Sequence, residues 1–150
     1  MNPVYYLVFA FFPVAFVALW VLVLFVIAKT SGWSTLADWY RGDPPPDAER
    51  RGAHWMLMGR NWFRPSYRNI ISLAASPAGL GIRPFVLFRL FQPALFIPRA
   101  DMQTTITRKF FFTVYEIRFT RAAEISALLP LKIGEWLESK SAVPPATRDA

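Results

Sequence analysis

No residue from Met1 to Ala28 carries a charge, and from Pro3 onward the run is almost wholly Val, Leu, Phe, Ala, Ile and aromatic. Roughly 26 helical residues at 1.5 Å each reach about 39 Å. That exceeds a hydrocarbon core about 30 Å thick, so the run can cross a bilayer with some tilt. A cleaved signal peptide would need a basic n-region and a shorter apolar core. No Lys or Arg precedes this run, although Val26-Ile27-Ala28 resembles a cleavage site. An uncharged stretch of this length is also atypical of a buried core helix.

All 17 Lys and Arg follow Ala28. The positive-inside rule then places the N-terminus outside and residues 29–150 in the cytoplasm, which for a bacterium means the inner membrane. Arginine greatly outnumbers lysine, and Ala and Pro are frequent, as in a bacterium with a GC-rich genome. Pro3 suits the first turn of a helix, and Pro13 predicts a kink in mid-span. Phe9, Phe12, Phe16 and Trp20 are expected to meet lipid or a neighbouring helix. The span contains no ionisable residue, which excludes an ion path, a proton relay or an axial ligand within it.

Residues 29–52 are expected to form a juxtamembrane helix and a linker. Ser34 or Thr35 can cap a helix whose apolar side carries Trp33, Leu36, Trp39 and Tyr40. That side meets either lipid headgroups, with Trp33 and Trp39 as anchors, or the domain itself. Pro44-Pro45-Pro46 favours an extended spacer. From residue 53 the pattern turns to strands, expected over 53–60, 67–75, 79–83, 85–91, 94–98, 103–108, 110–120 and 122–129. Pro130 closes them, 131–140 reads as an amphipathic helix, and 141–150 as a mobile tail. The expected fold is therefore one transmembrane α-helix plus a mainly β (α+β) domain over 53–140. A bent antiparallel sheet or open barrel would be closed by the C-terminal helix.

That order of strands and helix resembles the pleckstrin-homology-like architecture. A second likeness lies in Tyr67–Met102, after the segment Gly32-Trp33-Ser34. The strand–turn–strand there, followed by Pro93-Ala94-Leu95-Phe96-Ile97-Pro98-Arg99-Ala100-Asp101, resembles a group of short bacterial single-span membrane proteins of unestablished function. Arg99 stands where that group carries an aromatic, and Ala94 where it carries Pro. The resemblance implies a topology and no activity.

The chemistry available is narrow. His54 is the only histidine and there is no cysteine, which excludes multi-His and thiolate metal sites and a Cys nucleophile. No G-x-S-x-G, S-x-x-K, P-loop or G-x-G-x-x-G occurs. Between Arg50 and Arg121 stand 12 Lys or Arg against two acids, Asp101 and Glu116. The expectation is a protein with no enzyme activity and no cofactor. Arg60, Arg64 and Arg68, interleaved with Trp62, Phe63 and Tyr67, form the best candidate contact patch. Such a patch suits an anionic leaflet. It suits single-stranded nucleic acid equally in chemistry, but nucleic acid gives no reason for a span. Two functions follow. One is an accessory or structural subunit of a larger membrane complex, partnered by the bilayer and other membrane subunits. The other is a self-contained module that binds anionic lipid headgroups through the patch.

Overall fold

The computed structural model describes residues 2–148 except Asn61. The apolar run is one helix, α1 (Pro3–Thr30), whose first turn is capped by the Asn2 side chain accepting from the Val4 amide at 3.3 Å. It continues through Pro13 without interruption, and its exposed surface is apolar up to Val26, with exposed Lys29 in the last turn. By length and composition it can cross a membrane, and a signal sequence passes the same test. Only Leu24 and Ala28 are buried, and both face the domain end.

Gly32 makes the corner between α1 and α2 (Trp33–Tyr40). Its φ of 85° is left-handed, and a Cβ there would collide with Ile125 of the sheet. Both constraints favour glycine. The corner turns α2 inward, so Trp33, Leu36, Ala37 and Tyr40 are buried in the core while Trp39 faces out. The alternative left open by the sequence is thereby decided: the apolar side of α2 meets the domain.

The strands are β1 (Glu49–Arg60), β2 (Ser66–Ser76), β3 (Gly79–Pro84), β4 (Leu95–Pro98), β5 (Met102–Lys109), β6 (Phe112–Phe119), β7 (Ala122–Pro130) and β8 (Thr147–Arg148). They form one sheet in the order β4-β3-β2-β1-β7-β6-β5-β8, antiparallel except for the β5–β8 pair. Eight strands about 4.8 Å apart would make a flat sheet roughly 34 Å wide. Here the inner residues of β1 to β7 share a single apolar cluster with α2 and α3 (Leu131–Ser139), so the sheet must curl around it. Gly134 lets α3 approach the inner face, because a Cβ there would fall on the Tyr115 ring.

Four segments depart from the sequence reading. Strand β1 starts at Glu49 rather than 53, because Glu49–Gly52 pair with Ser72–Ala75 of β2. Residues 85–91 are not a strand. Val86–Phe88 form a 3₁₀ turn after Pro84, with Phe85, Val86, Leu87 and Leu90 exposed. That run has no alternation to place one face inward, which is why it leaves the sheet. Strand β6 starts at Phe112 rather than 110, because Phe110 takes a φ of 55° and turns the chain with Phe111. The expected tail is packed as far as Arg148. Ala142 and Val143 are buried, the Thr104 hydroxyl donates to the Pro144 carbonyl at 2.6 Å, and β8 pairs with β5.

Candidate functional site

Two features could carry function: the junction of α1 with the domain, and a groove on the outer face of the sheet. At the junction, Arg60 at the end of β1 donates to the Lys29 and Thr30 carbonyls at 3.3 and 3.2 Å. A guanidinium thus satisfies carbonyls that a helix C-terminus leaves orphaned and complements its dipole. Phe25 meets Phe91 edge-on at 5.4 Å. Trp33, wholly buried, donates its indole N–H to the Pro93 carbonyl at 3.0 Å and lies 5.7 Å from the Tyr67 ring. The domain is therefore tied to α1 by Arg60 of β1 and Phe91 of the β3–β4 connection, and to α2 through Trp33. Flanking the junction, the 3₁₀ turn leads through exposed Leu90 to Phe91, and Trp62 (74 % exposed) stacks beside Phe63.

The groove has a volume of about 770 Å³. Its floor is built from outward residues of three strands: Trp55 and Leu57 of β1, Leu128 of β7 and Val114 of β6. Opposing residues in register bring them together, with Trp55 across from Arg68 and Leu57 across from Leu128. Phe110 and Phe112 of the β5–β6 hairpin form one wall. Between the Ala53–Ile71 and Trp55–Arg68 pairs β2 carries one residue more than β1, with Asn69 at φ 54°. Such a bulge sharpens the twist and re-aims side chains, and Arg68 and Asn69 both border the groove.

Among the described residues the cations on its border are Arg64, Arg68 and Lys109, and no carboxylate lines it. Arg64 folds back over the sheet and donates to the Ser126 hydroxyl at 2.8 Å. Its guanidinium also lies 4.0 Å from Glu116, which is buried and bonded to Arg118 at 3.3 Å. A buried carboxylate persists only when paired, so Glu116 holds the two arginines in place. Arg68 and Lys109 remain exposed.

Deeper in the domain, burial raises Tyr115 well above the ordinary phenol range, and its hydroxyl donates to Glu138 at 2.9 Å. Burial likewise raises Tyr67, which accepts from Gln92 at 3.2 Å. Both phenols serve the core and neither borders the groove.

The residues singled out from the sequence fall into separate places. Phe9, Phe12 and Phe16 are exposed along α1, and Phe12 and Phe16 stack one turn apart at 6.2 Å; Trp20 is half-buried. Trp33 is a correction: it is a core residue, unable to reach lipid or a partner, because the Gly32 corner aims it inward. Trp39 stays half-exposed under the Arg121 guanidinium, 5.4 Å from its ring. Arg60, Arg64 and Arg68 do not make one surface. Arg60 caps α1, whereas Arg64 and Arg68 belong to the groove. The side chain of His54 lies outside the described residues. Sequence reasoning missed Lys109, Phe110 and Phe112. The signal was there in Lys109-Phe110-Phe111-Phe112, where three successive phenylalanines cannot all point inward from a strand.

Among the described residues no group of three or more His, Cys, Asp or Glu could hold a metal ion. Comparison with protein-family models, with curated proteins and with solved structures finds no match.

Proposed function

We propose that this chain is a non-enzymatic single-pass membrane protein, an accessory or structural subunit of a larger membrane complex. In this reading α1 packs at the periphery with the N-terminus outside, and the domain caps the cytoplasmic side. The observation that carries it is the bonded, packed junction between α1 and the domain. Arg60, Phe91 and the buried Trp33 fix the domain to the base of α1, and a fixed mount suits a part that holds position relative to others. The same junction favours a retained anchor over a cleaved signal, since the last turn of α1 is part of the domain's packing. The domain is further proposed to be pleckstrin-homology-like. Support comes from the strand order β4-β3-β2-β1-β7-β6-β5 with a helix after β7 on the inner face.

The test is gentle detergent extraction, native-size separation and mass spectrometry of whatever co-migrates. A subunit runs in a large particle with partners in fixed ratio. Migration as a lone chain in a small micelle would overturn the subunit reading. A second reading, a surface module for anionic lipid, is favoured by one observation: the groove bears Arg64, Arg68 and Lys109 and no acid.

A further inference from the structure

We infer that the outer groove is a binding site for a single anionic phospholipid, with an acyl chain on its floor and the phosphate between Arg68 and Lys109. The inference rests on the second reading for the sign of the ligand's charge and goes beyond it in assigning a built cavity rather than a surface.

Three observations converge. The first is shape and lining. A cavity of about 770 Å³ falls in the range of roughly 300–1,000 Å³ that small-molecule sites occupy, mostly apolar with a few placed polar groups. Trp55, Leu57, Val114 and Leu128 make the floor apolar, and a free phosphate or a sugar would leave that floor wet. The second is charge. Three cations border the groove with no carboxylate among its described lining residues, and Glu116 beneath Arg64 is already paired with Arg118. Arginine and lysine pair with phosphate through charge-assisted hydrogen bonds. The amphiphile is thus read at both ends.

The third is position. Arg60 touches the last carbonyls of α1, and Arg64 lies four residues further along the chain. Four residues span at most about 14 Å, so one end of the groove opens close to the end of α1. Arg68 pairs opposite Trp55, five residues before Arg60 on β1, so the Arg64 end is where a lipid would enter and the Arg68–Lys109 end is where its phosphate would be held. The hairpin wall fits the same occupant. Phe110 and Phe111 are 94 % and 86 % exposed, adjacent to Lys109, and offer an apolar edge over which an acyl chain can pass without crossing water. A protein partner would match the apolar floor but gives no reason for an acid-free border.

The experiment uses the full-length chain in a mild non-ionic detergent, with phosphatidylglycerol or phosphatidylcholine of identical acyl chains added. Retained lipid is counted by native mass spectrometry. One phosphatidylglycerol per chain is expected, retained at least tenfold better than phosphatidylcholine. Arg68→Gln with Lys109→Gln should lower retention at least tenfold, whereas Arg108→Gln with Lys132→Gln, the same charge loss elsewhere, should not. Phe110→Ser with Phe112→Ser should also release the lipid. All these side chains are exposed, so the fold is expected to survive.

Equal retention of the two lipids would overturn both this inference and the lipid-surface reading. Loss with the charge variants but none with the phenylalanine variants, or full displacement by glycerol phosphate, would overturn the groove and leave the surface reading standing. Fixed-ratio partners bear only on the subunit reading.

Discussion

Trp33→Ala separates a core tryptophan from an interfacial one. In the structure Trp33 has no exposed surface, donates to the Pro93 carbonyl and packs on Tyr67. Truncating a buried aromatic to Ala costs about 3–5 kcal/mol in lost transfer energy and residual cavity. The orphaned Pro93 carbonyl falls within that range. At roughly 4 °C per kcal/mol for a domain of this size, the melting temperature should drop by about 12–20 °C. Trp39→Ala, six residues on and 54 % exposed, loses little beyond its stacking with Arg121, about 0.5–1 kcal/mol. The assay is thermal unfolding of both full-length variants in the same detergent, followed by near-ultraviolet circular dichroism. Equal shifts for the two, or a Trp33→Ala shift under about 4 °C, would refute the inward-facing corner at Gly32. A truncated chain that begins at residue 42 should fail to fold for the same reason, since it lacks Trp33, Leu36 and Tyr40 of the core.

Gly32→Ala should cost about 1–2 kcal/mol through its left-handed backbone alone, with the Ile125 clash in addition; proteolysis at the α1–α2 corner should report it. Gly134→Ala gains up to about 1 kcal/mol of helix propensity. It should still be net destabilising, because overpacking against Tyr115 costs about 1–3 kcal/mol; chemical unfolding checks the sign. Tyr115, Tyr67 and Tyr40 have phenol pKa values raised chiefly by burial, so the folded state holds protons that the unfolded chain releases. Their stabilisation is complete below the unfolded value near 10, and it is lost as pH rises toward the higher folded values. Unfolding followed from pH 9 to 11 should show that decline, with a shallower slope in Tyr115→Phe. The Glu49 carboxyl is lowered by its bonds to Lys140 and then Trp136. Its contribution is present above about pH 4.5 and lost as pH falls through the lower folded value, so Lys140→Met should flatten that acid limb.

Local chemistry was readable in advance. The charge-free run of 28 residues can only be a long apolar helix, because no other element satisfies its backbone in an apolar setting. Alternation exposed most of the strands, Pro130 marked where β7 ends, and the spacing of Ile133 and Leu137 marked the helix that follows, while β8 lay unmarked in the tail. These signals are one-dimensional: they depend on neighbours a few residues away.

What depended on distant neighbours was illegible. Whether the apolar side of α2 meets lipid or core turns on one glycine dihedral and on Ile125, which lies 93 positions away. The three arginines spaced four apart looked like one patch, as they would on a helix. On a strand, a loop and a bulged strand they point to different places: Arg60 to the end of α1, Arg64 to Ser126, Arg68 to the groove. Apart from the Lys109–Phe112 wall, the groove has no sequence signature, because register across β1, β2, β6 and β7 assembles its floor from residues that are each ordinary alone. Sequence determined most of the helices and strands, 85–91 and the tail excepted, and that one helix is long and apolar enough to cross a membrane. Only the curled sheet decided which face of each segment is inside, since burial belongs to the closed surface and not to any stretch of chain.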